Sequence, residues 1–187
     1  MLFPGDPAPS ESKNSYGTTN RIIKTVGELK TFDGRRFWIN SKQARYTPLL
    51  DDLVLGVVRG KGKDHYKVDI GAPAYAVIDH LDFPNATKRN KISIEIGDVV
   101  FGQVVDDSPH SDVRISAKNE EIEGLGPMKD GALLKTGILQ SRSYLLEPPD
   151  KINENCVLVF SMNGYCYATP PTSQVIREVL KLTQERP

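Results

Sequence analysis

Apolar and polar residues alternate along the middle of the chain in a way that predicts β-strands. The runs DLVLGVV at 52–58 and DVVFGQV at 98–104 share the pattern Asp-x-Val-x-Gly-x-Val. Their valines recur at every second position, so each run predicts a strand with one buried face. A glycine inside a strand, as at Gly56 and Gly102, indicates a bend or a close approach of another backbone.

Three further runs complete a set of five predicted strands. HYKVDIG and AYAVIDHLDF lie between the first two runs, and VRISA follows a turn at 106–109. Short strands that bend at glycines are typical of a small closed barrel. Residues 51–120 therefore predict an OB-type barrel, with a five-stranded sandwich as the alternative.

Residues 1–50 predict a small β domain that begins with an extended arm. The arm is FPGDPAPSESKNSYGTTN at 3–20, which is rich in proline, serine and asparagine and has no period. In GELKTFDGRRFWINS, Asp33-Gly34 stands between two strand-like runs and predicts a hairpin turn, with an ordinary loop as the alternative. Pro48 closes this domain.

Residues 121–187 predict an α+β part, so the fold class is mainly β with an α+β C-terminal part. ALLKTGILQSRSYLLEPP predicts a strand that runs into a short helix ending before Pro148. TSQVIREVLKLTQ predicts a final helix, which Thr172 or Ser173 can cap. The apolar face of this helix is formed by Val175, Ile176, Val179 and Leu180.

The run CVLVFSMNGYCYATP predicts a second hairpin, with Asn163-Gly164 as a two-residue turn. In that register Cys156 and Cys166 lie beyond disulfide reach, so both are interpreted as structural thiols. The predicted hairpin has two apolar faces. One contains Leu158, Phe160, Met162, Tyr165 and Tyr167, and the other contains Val157, Val159, Ser161, Cys166 and Ala168.

Charge is balanced over the whole chain but not along it. The 187 residues include 24 basic and 24 acidic side chains. Residues 1–50 carry eight Lys or Arg against four Asp or Glu, residues 51–120 carry nine against twelve, and residues 121–187 carry seven against eight. No apolar run is long enough to span a membrane, and the N-terminus does not resemble a secretory signal. Two cysteines favour a reducing compartment.

The residues predict no catalysis, no cofactor and no bound metal. The sequence contains no Gly-x-Ser-x-Gly, no phosphate-binding glycine loop, no His-Glu-x-x-His and no Cys-x-x-Cys. His65, His80 and His110 are scattered. The acidic pairs at 51–52 and 106–107 fall at a strand start and a turn, where Asp is common for backbone reasons. A metal-dependent nuclease built on these pairs is the alternative.

The stretch ATKRNK at 86–91 is the tightest basic group in the acidic barrel. Lys88, Arg89 and Lys91, together with Asn90, suit contacts to the phosphates of a nucleic acid. A solvated loop is the alternative.

Several of these stretches resemble a known family. LDFPNATKRNKISIEIGDVVFGQV, GLGPMKDG, VFSMNGYCYA and RYTP are similar to the exosome cap subunits called ribosomal RNA-processing protein forty. The resemblance extends over the whole chain. It implies an N-terminal β domain at 1–50, an S1 barrel of the OB type at 51–120 and a KH domain at 121–187.

The resemblance also gives the second hairpin turn a role. Residues 161–164 correspond to the family's Gly-x-Asn-Gly, which replaces the Gly-x-x-Gly loop of RNA-binding KH domains. Ser161 stands where the family has its first glycine. A structural motif is therefore expected at Ser161, Met162, Asn163 and Gly164.

What the resemblance implies about function is specific. Such proteins are non-catalytic, sit with other cap subunits on a ring of RNase PH-like subunits, and help build the pore through which RNA enters for 3′-to-5′ processing or decay. The expected locations are the nucleus, the nucleolus and the cytoplasm. The sister cap subunit, ribosomal RNA-processing protein four, and a free S1/KH RNA-binding protein are the alternatives.

Two sets of residues follow as expectations. The residues expected to contact RNA are Lys88, Arg89, Asn90 and Lys91 and, in the second barrel strand, Tyr66 and Lys67. The residues expected to dock on partner subunits are Arg35, Arg36, Trp38 and Tyr46. A core role for Trp38 is the alternative.

Overall fold

The computed structural model describes residues 1, 3–7, 18–19, 22–23, 26–32, 36–41, 45–90, 92–108, 110–146, 149 and 156–185. The chain divides into two compact units, Met1–Ala44 and Arg45–Pro187. Among the described residues, no helix is long and apolar enough to cross a membrane.

The first unit contains two pairs of antiparallel strands. Strand β1 (Thr18–Thr19) pairs with β2 (Ile22–Ile23), and β3 (Glu28–Phe32) pairs with β4 (Arg36–Asn40). The β3–β4 pair confirms the predicted hairpin, although its turn at 33–35 lies outside the described residues. Most of the predicted arm lies outside them too.

The second unit begins with a closed barrel, which rules out the sandwich. Its strands are β5 (Leu53–Lys61), β6 (His65–Asp69), β7 (Ala76–Asp79), β8 (Val99–Asp106) and β9 (Arg114–Ser116). The order β8-β5-β6-β7-β9 closes through an additional β8–β9 pairing, and only β7–β9 is parallel among these pairs. The alternating valines fill the interior: Val54, Val58, Val100 and Val104 are fully buried.

The glycines inside the repeated strands lie where another part of the barrel approaches closely, as predicted. A Cβ added to Gly56 would lie 2.5 Å from Val68 Cγ1, and one added to Gly102 would lie 3.3 Å from the Ser116 carbonyl oxygen. Real Cβ atoms do not approach a neighbour as closely as 2.5 Å, so Gly56 admits no side chain.

The barrel sheet and the C-terminal part join directly. Strand β10 (Gly126–Met128) extends the barrel sheet by pairing with β8. A three-stranded antiparallel sheet follows, in the order β11 (Ala132–Lys135), β13 (Tyr165–Thr169), β12 (Val157–Phe160). The two compact units meet after Ala44, and the barrel sheet includes β10 beyond residue 120. The domain bounds 1–50, 51–120 and 121–187 stay a prediction.

Two helices cover one face of this sheet. Helix α1 (Ile138–Leu146) ends before Pro148, as predicted, and α2 (Ser173–Glu185) begins where the Val175 amide donates to Thr172 Oγ1 at 3.4 Å. Val175 and Val179 are buried, but Leu180 is 42% exposed and Leu182 packs on the core instead. The KH assignment of this part stays a prediction.

The predicted register of the β12–β13 hairpin is wrong by one residue. Phe160 pairs with Cys166, not with Tyr167, so the loop contains three residues rather than two. The Gly164 amide donates to the Ser161 carbonyl at 3.4 Å, and Gly164 has a φ of +84°. A turn followed by a left-handed glycine is the usual three-residue hairpin loop.

The shift changes which residues share a face. Leu158, Phe160, Cys166 and Ala168 now lie together, and they pack with Tyr144, Val175 and Val179 of the helices. Both cysteines are free thiols on this helix-covered side, and burial raises the pKa of Cys166 to about 12.

Candidate nucleic-acid interface

The predicted basic group forms a tight turn on the barrel. The Thr87 amide donates to the Asn90 carbonyl at 3.0 Å, and the Asn90 amide donates to Thr87 Oγ1 at 3.0 Å. Lys88 and Arg89 occupy the two central positions and are exposed. Lys91 lies outside the described residues. We call residues 87–90 the basic turn.

The segments on both sides of the basic turn are anchored. On one side, Phe83 is fully buried, and the Ala86 amide donates to its carbonyl at 3.2 Å. On the other side, the Tyr66 hydroxyl donates to the Ile92 carbonyl and the Lys61 ammonium donates to the Ile94 carbonyl, both at 3.3 Å. The turn therefore projects from a fixed base, which lowers the entropy that binding must overcome.

Tyr66 is one of the anchors and not an RNA-stacking surface. Its side chain is 3% exposed, and its ring lies 4.3 Å from the ring of His80 and edge-on to Phe83. The expected RNA contact through Tyr66 is therefore corrected. Consecutive strand residues point to opposite faces, so the burial of Tyr66 turns Lys67 outward, where it is exposed.

Several other cations of the barrel lie beside a carboxylate. Arg59 lies 3.5 Å from Asp69, Lys61 lies 3.5 Å from Glu95, and Arg114 lies 3.8 Å from Asp82. Within the described part of the chain, Lys67, Lys88 and Arg89 have no carboxylate at ion-pair distance. These three exposed side chains can contact an anion such as a phosphate.

The turn at 161–164 is a buried joint between the barrel and the C-terminal part. Asn163 is 4% exposed, and its side-chain amide donates to the carbonyls of Leu55 at 2.7 Å and Ile70 at 2.8 Å. Its side-chain oxygen accepts from the Leu55 amide at 3.3 Å and from the Ser161 hydroxyl at 2.5 Å. The Met162 amide donates to the Leu53 carbonyl at 2.8 Å.

Ser161 and Gly164 fit this joint for different reasons. The single proton of the Ser161 hydroxyl is shared between Asn163 Oδ1 and the Tyr165 carbonyl, which lies 2.9 Å from the hydroxyl oxygen. The Ser161 amide donates to the Ser141 hydroxyl at 3.3 Å, and that hydroxyl donates to the Ser161 carbonyl at 2.6 Å. A Cβ on Gly164 would lie 2.7 Å from the Ile138 amide nitrogen. The backbone of this turn is therefore occupied by protein contacts.

The residues expected to dock on partners are only partly described. Arg35 lies outside the described residues, and Arg36 and Trp38 are described in β4 by their backbone alone. Tyr46 is 1% exposed, and its hydroxyl donates to Asp52 Oδ2 at 2.6 Å. Its side chain is a core element of the second unit, so the expected docking role of Tyr46 is corrected.

Three of the four carboxylates in the acidic pairs accept hydrogen bonds from backbone amides. Asp52 also accepts from the Leu49 amide, Asp106 accepts from the Ser108 amide at 2.9 Å, and Asp107 accepts from the Leu50 amide at 3.2 Å. No group of three or more potential metal ligands occurs among the described residues. These carboxylates act as turn and strand caps.

Sequence reasoning missed a cavity beside the basic turn. It has a volume of about 430 Å³ and lies between the segment at 83–85 and the segment at 117–125. No pattern in the sequence brings these two segments together, because they meet only through the barrel topology. Its apolar lining is formed by Phe83, Pro84, Ala117, Ile122 and Leu125.

Comparison with known proteins shows the family. Residues 46–126 match the model of the S1 domain of exosome complex component RRP40. The human exosome complex component RRP40 is 32% identical over 149 residues, which are 75% of this chain and 54% of the human protein. The chain belongs to the RRP40 family.

Further relatives agree with that assignment. RRP40 of Drosophila melanogaster is 33% identical over 128 residues, covering 67% of this chain and 55% of the fly protein. The chain thus spans about half the length of the curated RRP40 relatives it matches. A crystal structure assigned provisionally to an exosome complex RNA-binding protein has the same fold, with a TM-score of 0.61, 21% identity, and coverage of 76% of this chain and 87% of that one.

The RRP40 S1 match contains the barrel, the basic turn and the cavity. It begins at Tyr46 and ends at Gly126, the first residue of β10. The structural joint at 161–164 lies outside it.

Proposed function

We propose that this chain is a non-catalytic, RNA-binding cap subunit of the RNA exosome. It would sit on a ring of RNase PH-like subunits beside other cap subunits and help form the pore through which RNA enters. The observation that carries the proposal is an RRP40-type S1 barrel with an anchored, exposed basic turn. The human and fly relatives both bear the RRP40 name, which favours this family over the sister cap subunit.

In this proposal RNA contacts the chain through cations. Lys88 and Arg89 lie at the tip of the basic turn, Asn90 closes it, and Lys67 is exposed on β6. Such side chains bind phosphates without reading sequence. The barrel segment nevertheless carries nine basic against twelve acidic residues, so the assembled complex would supply most of the affinity. Submicromolar binding of single-stranded RNA by the isolated chain at physiological salt would contradict this.

One feature supports a role without catalysis. Three of the four paired acids of the barrel, Asp52, Asp106 and Asp107, accept hydrogen bonds from backbone amides, and a carboxylate that caps the backbone is poorly placed to ligate a catalytic metal. The chemistry would therefore belong to another subunit of the complex.

Docking is proposed for the first unit. Residues 1–44 carry seven basic against four acidic residues, which suits an acidic protein surface. Arg35, Arg36 and Trp38 remain the proposed contact residues, since Arg and Trp are frequent at the centres of interfaces.

Co-purification from the native organism tests the proposal. A tagged chain purified at moderate salt should bring RNase PH-like ring subunits in equal amounts, as identified by mass spectrometry. Ribosomes or free RNA in their place would favour a free-standing RNA-binding protein. Imaging of the tagged chain tests the proposed location in the nucleus, nucleolus and cytoplasm.

A further inference from the structure

The cavity beside the basic turn has the form of a ligand site. Its volume of about 430 Å³ lies within the range of roughly 300–1,000 Å³ that small-molecule sites occupy. Part of its lining is apolar, and of these residues Pro84 is exposed and Ile122 is half-buried. Such a surface can receive the flat face of an aromatic ring.

Polar side chains also line the cavity. Asn85, Lys118 and Asn119 all line it, and Asn85 has a φ of +59°, the left-handed conformation that asparagine tolerates better than most residues. Amide side chains offer a donor and an acceptor side by side, which is the pattern on the edge of a nucleobase.

The amide of Asn119 is held in a defined orientation. It donates to Gln103 Oε1 at 2.9 Å and accepts from the Glu121 amide at 3.0 Å, while Gln103 donates to Asp51 Oδ1 at 3.0 Å. An amide nitrogen carries two hydrogens and an amide oxygen two lone pairs. The two bonds of Asn119 use half of this capacity, so a ligand can still be bound by both atoms.

The cavity and the basic turn belong to one continuous segment. Only Ala86 separates Asn85, which lines the cavity, from Thr87, where the basic turn begins. Asn85 and Lys88 are three residues apart, so at most about 11 Å of extended chain separates them. One short stretch of RNA can therefore place a phosphate at Lys88 and a neighbouring base at the cavity.

From these observations we propose that the cavity binds a single unstacked nucleobase of RNA whose phosphates contact Lys88 and Arg89. Single-stranded RNA is commonly recognised by bases that leave the stack and enter pockets with polar edges. Glu120, which also lines the cavity, repels phosphates there and so favours a path along the basic turn. The inference rests on the proposed RNA-binding function and adds a site for the base to it.

An NMR titration of the ¹⁵N-labelled chain of 187 residues tests the site. The probes are hexaadenylate RNA and a hexamer with the same ribose-phosphate backbone but no bases, each up to millimolar concentration. We expect hexaadenylate to shift the signals of Asn85, Lys118 and Asn119 as well as those of Lys88 and Arg89. The abasic hexamer should shift only the basic turn, with at least tenfold weaker effects at the cavity.

Two tryptophan substitutions provide matched variants. Ile122→Trp narrows the cavity and should abolish the cavity shifts while the basic-turn shifts persist. Ile96→Trp adds the same ring at an isoleucine that is 64% exposed outside the cavity lining, and should leave both sets unchanged. The comparison of the two hexamers needs no substitution, so it decides the question even if Ile122→Trp does not fold.

The failure of the inference and the failure of the proposed function give different results. Shifts at Lys88 and Arg89 without shifts at the cavity would overturn the nucleobase site and leave the RNA-binding function in place. Equal cavity shifts with the abasic hexamer would overturn it as well. The absence of any shift at millimolar RNA would overturn both the site and the proposed RNA contact of the isolated chain.

Discussion

Two turns of this protein each contain an asparagine, and they use it in opposite ways. In the turn at 161–164, Asn163 is buried and bonds to the backbone of the barrel. In the basic turn, Asn90 closes the loop through its backbone while Lys88 and Arg89 face solvent. The comparison shows that the family motif at 161–164 has a structural role, because it packs on the barrel. The side chains that suit phosphate binding lie instead in the basic turn, where the backbone is anchored and Lys88 and Arg89 are exposed.

The largest expected effect is on stability at the buried turn. Asn163→Ala leaves the carbonyls of Leu55 and Ile70 and the Leu55 amide without their side-chain partner. Each lost hydrogen bond to a buried group costs about 1–3 kcal/mol, so the free energy of unfolding should fall by about 3–5 kcal/mol. Urea denaturation measures the change. Asn90→Ala is the matched control and should lower the free energy of unfolding by less than about 0.5 kcal/mol. Equal losses for the two variants would contradict the different roles of the two asparagines.

A pair of glycine substitutions separates packing from backbone strain. Gly164 and Gly97 both have positive φ, of +84° and +105°. A Cβ at Gly164 meets the Ile138 amide nitrogen, whereas a Cβ at Gly97 meets nothing within 4 Å. Gly97→Ala should therefore cost about 1 kcal/mol from backbone strain alone, and Gly164→Ala about 3 kcal/mol. Similar losses of the free energy of unfolding, measured by urea denaturation, would show that the backbone at Ile138 moves to accommodate the added methyl group.

The pH dependence of stability probes the strand that leaves the buried turn. The pKa of the Cys166 thiol is raised by burial from 9.0 to about 12. The folded protein therefore holds this proton between those values while the unfolded chain releases it. The stabilisation is complete below pH 9 and falls by about 1.4 kcal/mol per pH unit above it, until the pKa of the folded state is reached.

The control for this pH effect is Cys166→Ala, followed by urea denaturation between pH 8 and 11. Tyr165 and Tyr167 also have raised pKa values, and they remain in both proteins. The variant should lose free energy of unfolding less steeply than the parent. Parallel slopes would mean that the thiol is not buried in solution.

The smallest effect concerns the exposed turn. In the assembled complex, the double substitution Lys88→Ala/Arg89→Ala should remove two phosphate contacts, which lowers the slope of log K against log salt by about 1.4 for single-stranded RNA. Arg59→Ala is the matched control because Arg59 already pairs with Asp69. Fluorescence anisotropy at several salt concentrations measures the RNA affinity of both variants. An equal change in slope for Arg59→Ala would show that the RNA contact is not specific to the basic turn.

The local sequence pattern was sufficient to predict the barrel and the presence of the hairpins. Valines at every second position predicted the barrel strands, and the mid-strand glycines predicted close packing, because both depend on residues a few positions apart. The register at Asn163-Gly164 could not be predicted in this way. An Asn-Gly pair fits a two-residue or a three-residue loop. In the structure the three-residue loop is found together with hydrogen bonds from Asn163 to Leu55 and Ile70, which lie more than ninety positions away in the sequence.

The same limit applies to single residues of the candidate site. Tyr66 and Lys67 were both expected to contact RNA, yet adjacent strand residues cannot share a face. Tyr46 was expected on the surface, and its bond to Asp52 shows a core role. The cavity depends on two segments more than thirty residues apart, which no local pattern connects.

Site-specific crosslinking tests the central claim most directly. The tagged complex, purified from the native organism, is loaded with RNA containing 4-thiouridine, irradiated and digested, and the crosslinked peptides of this chain are identified by mass spectrometry. We predict crosslinks in the peptides around Lys88 and Arg89 and none at 161–164. Crosslinks at 161–164 with none at the basic turn would contradict the division of roles between the two turns.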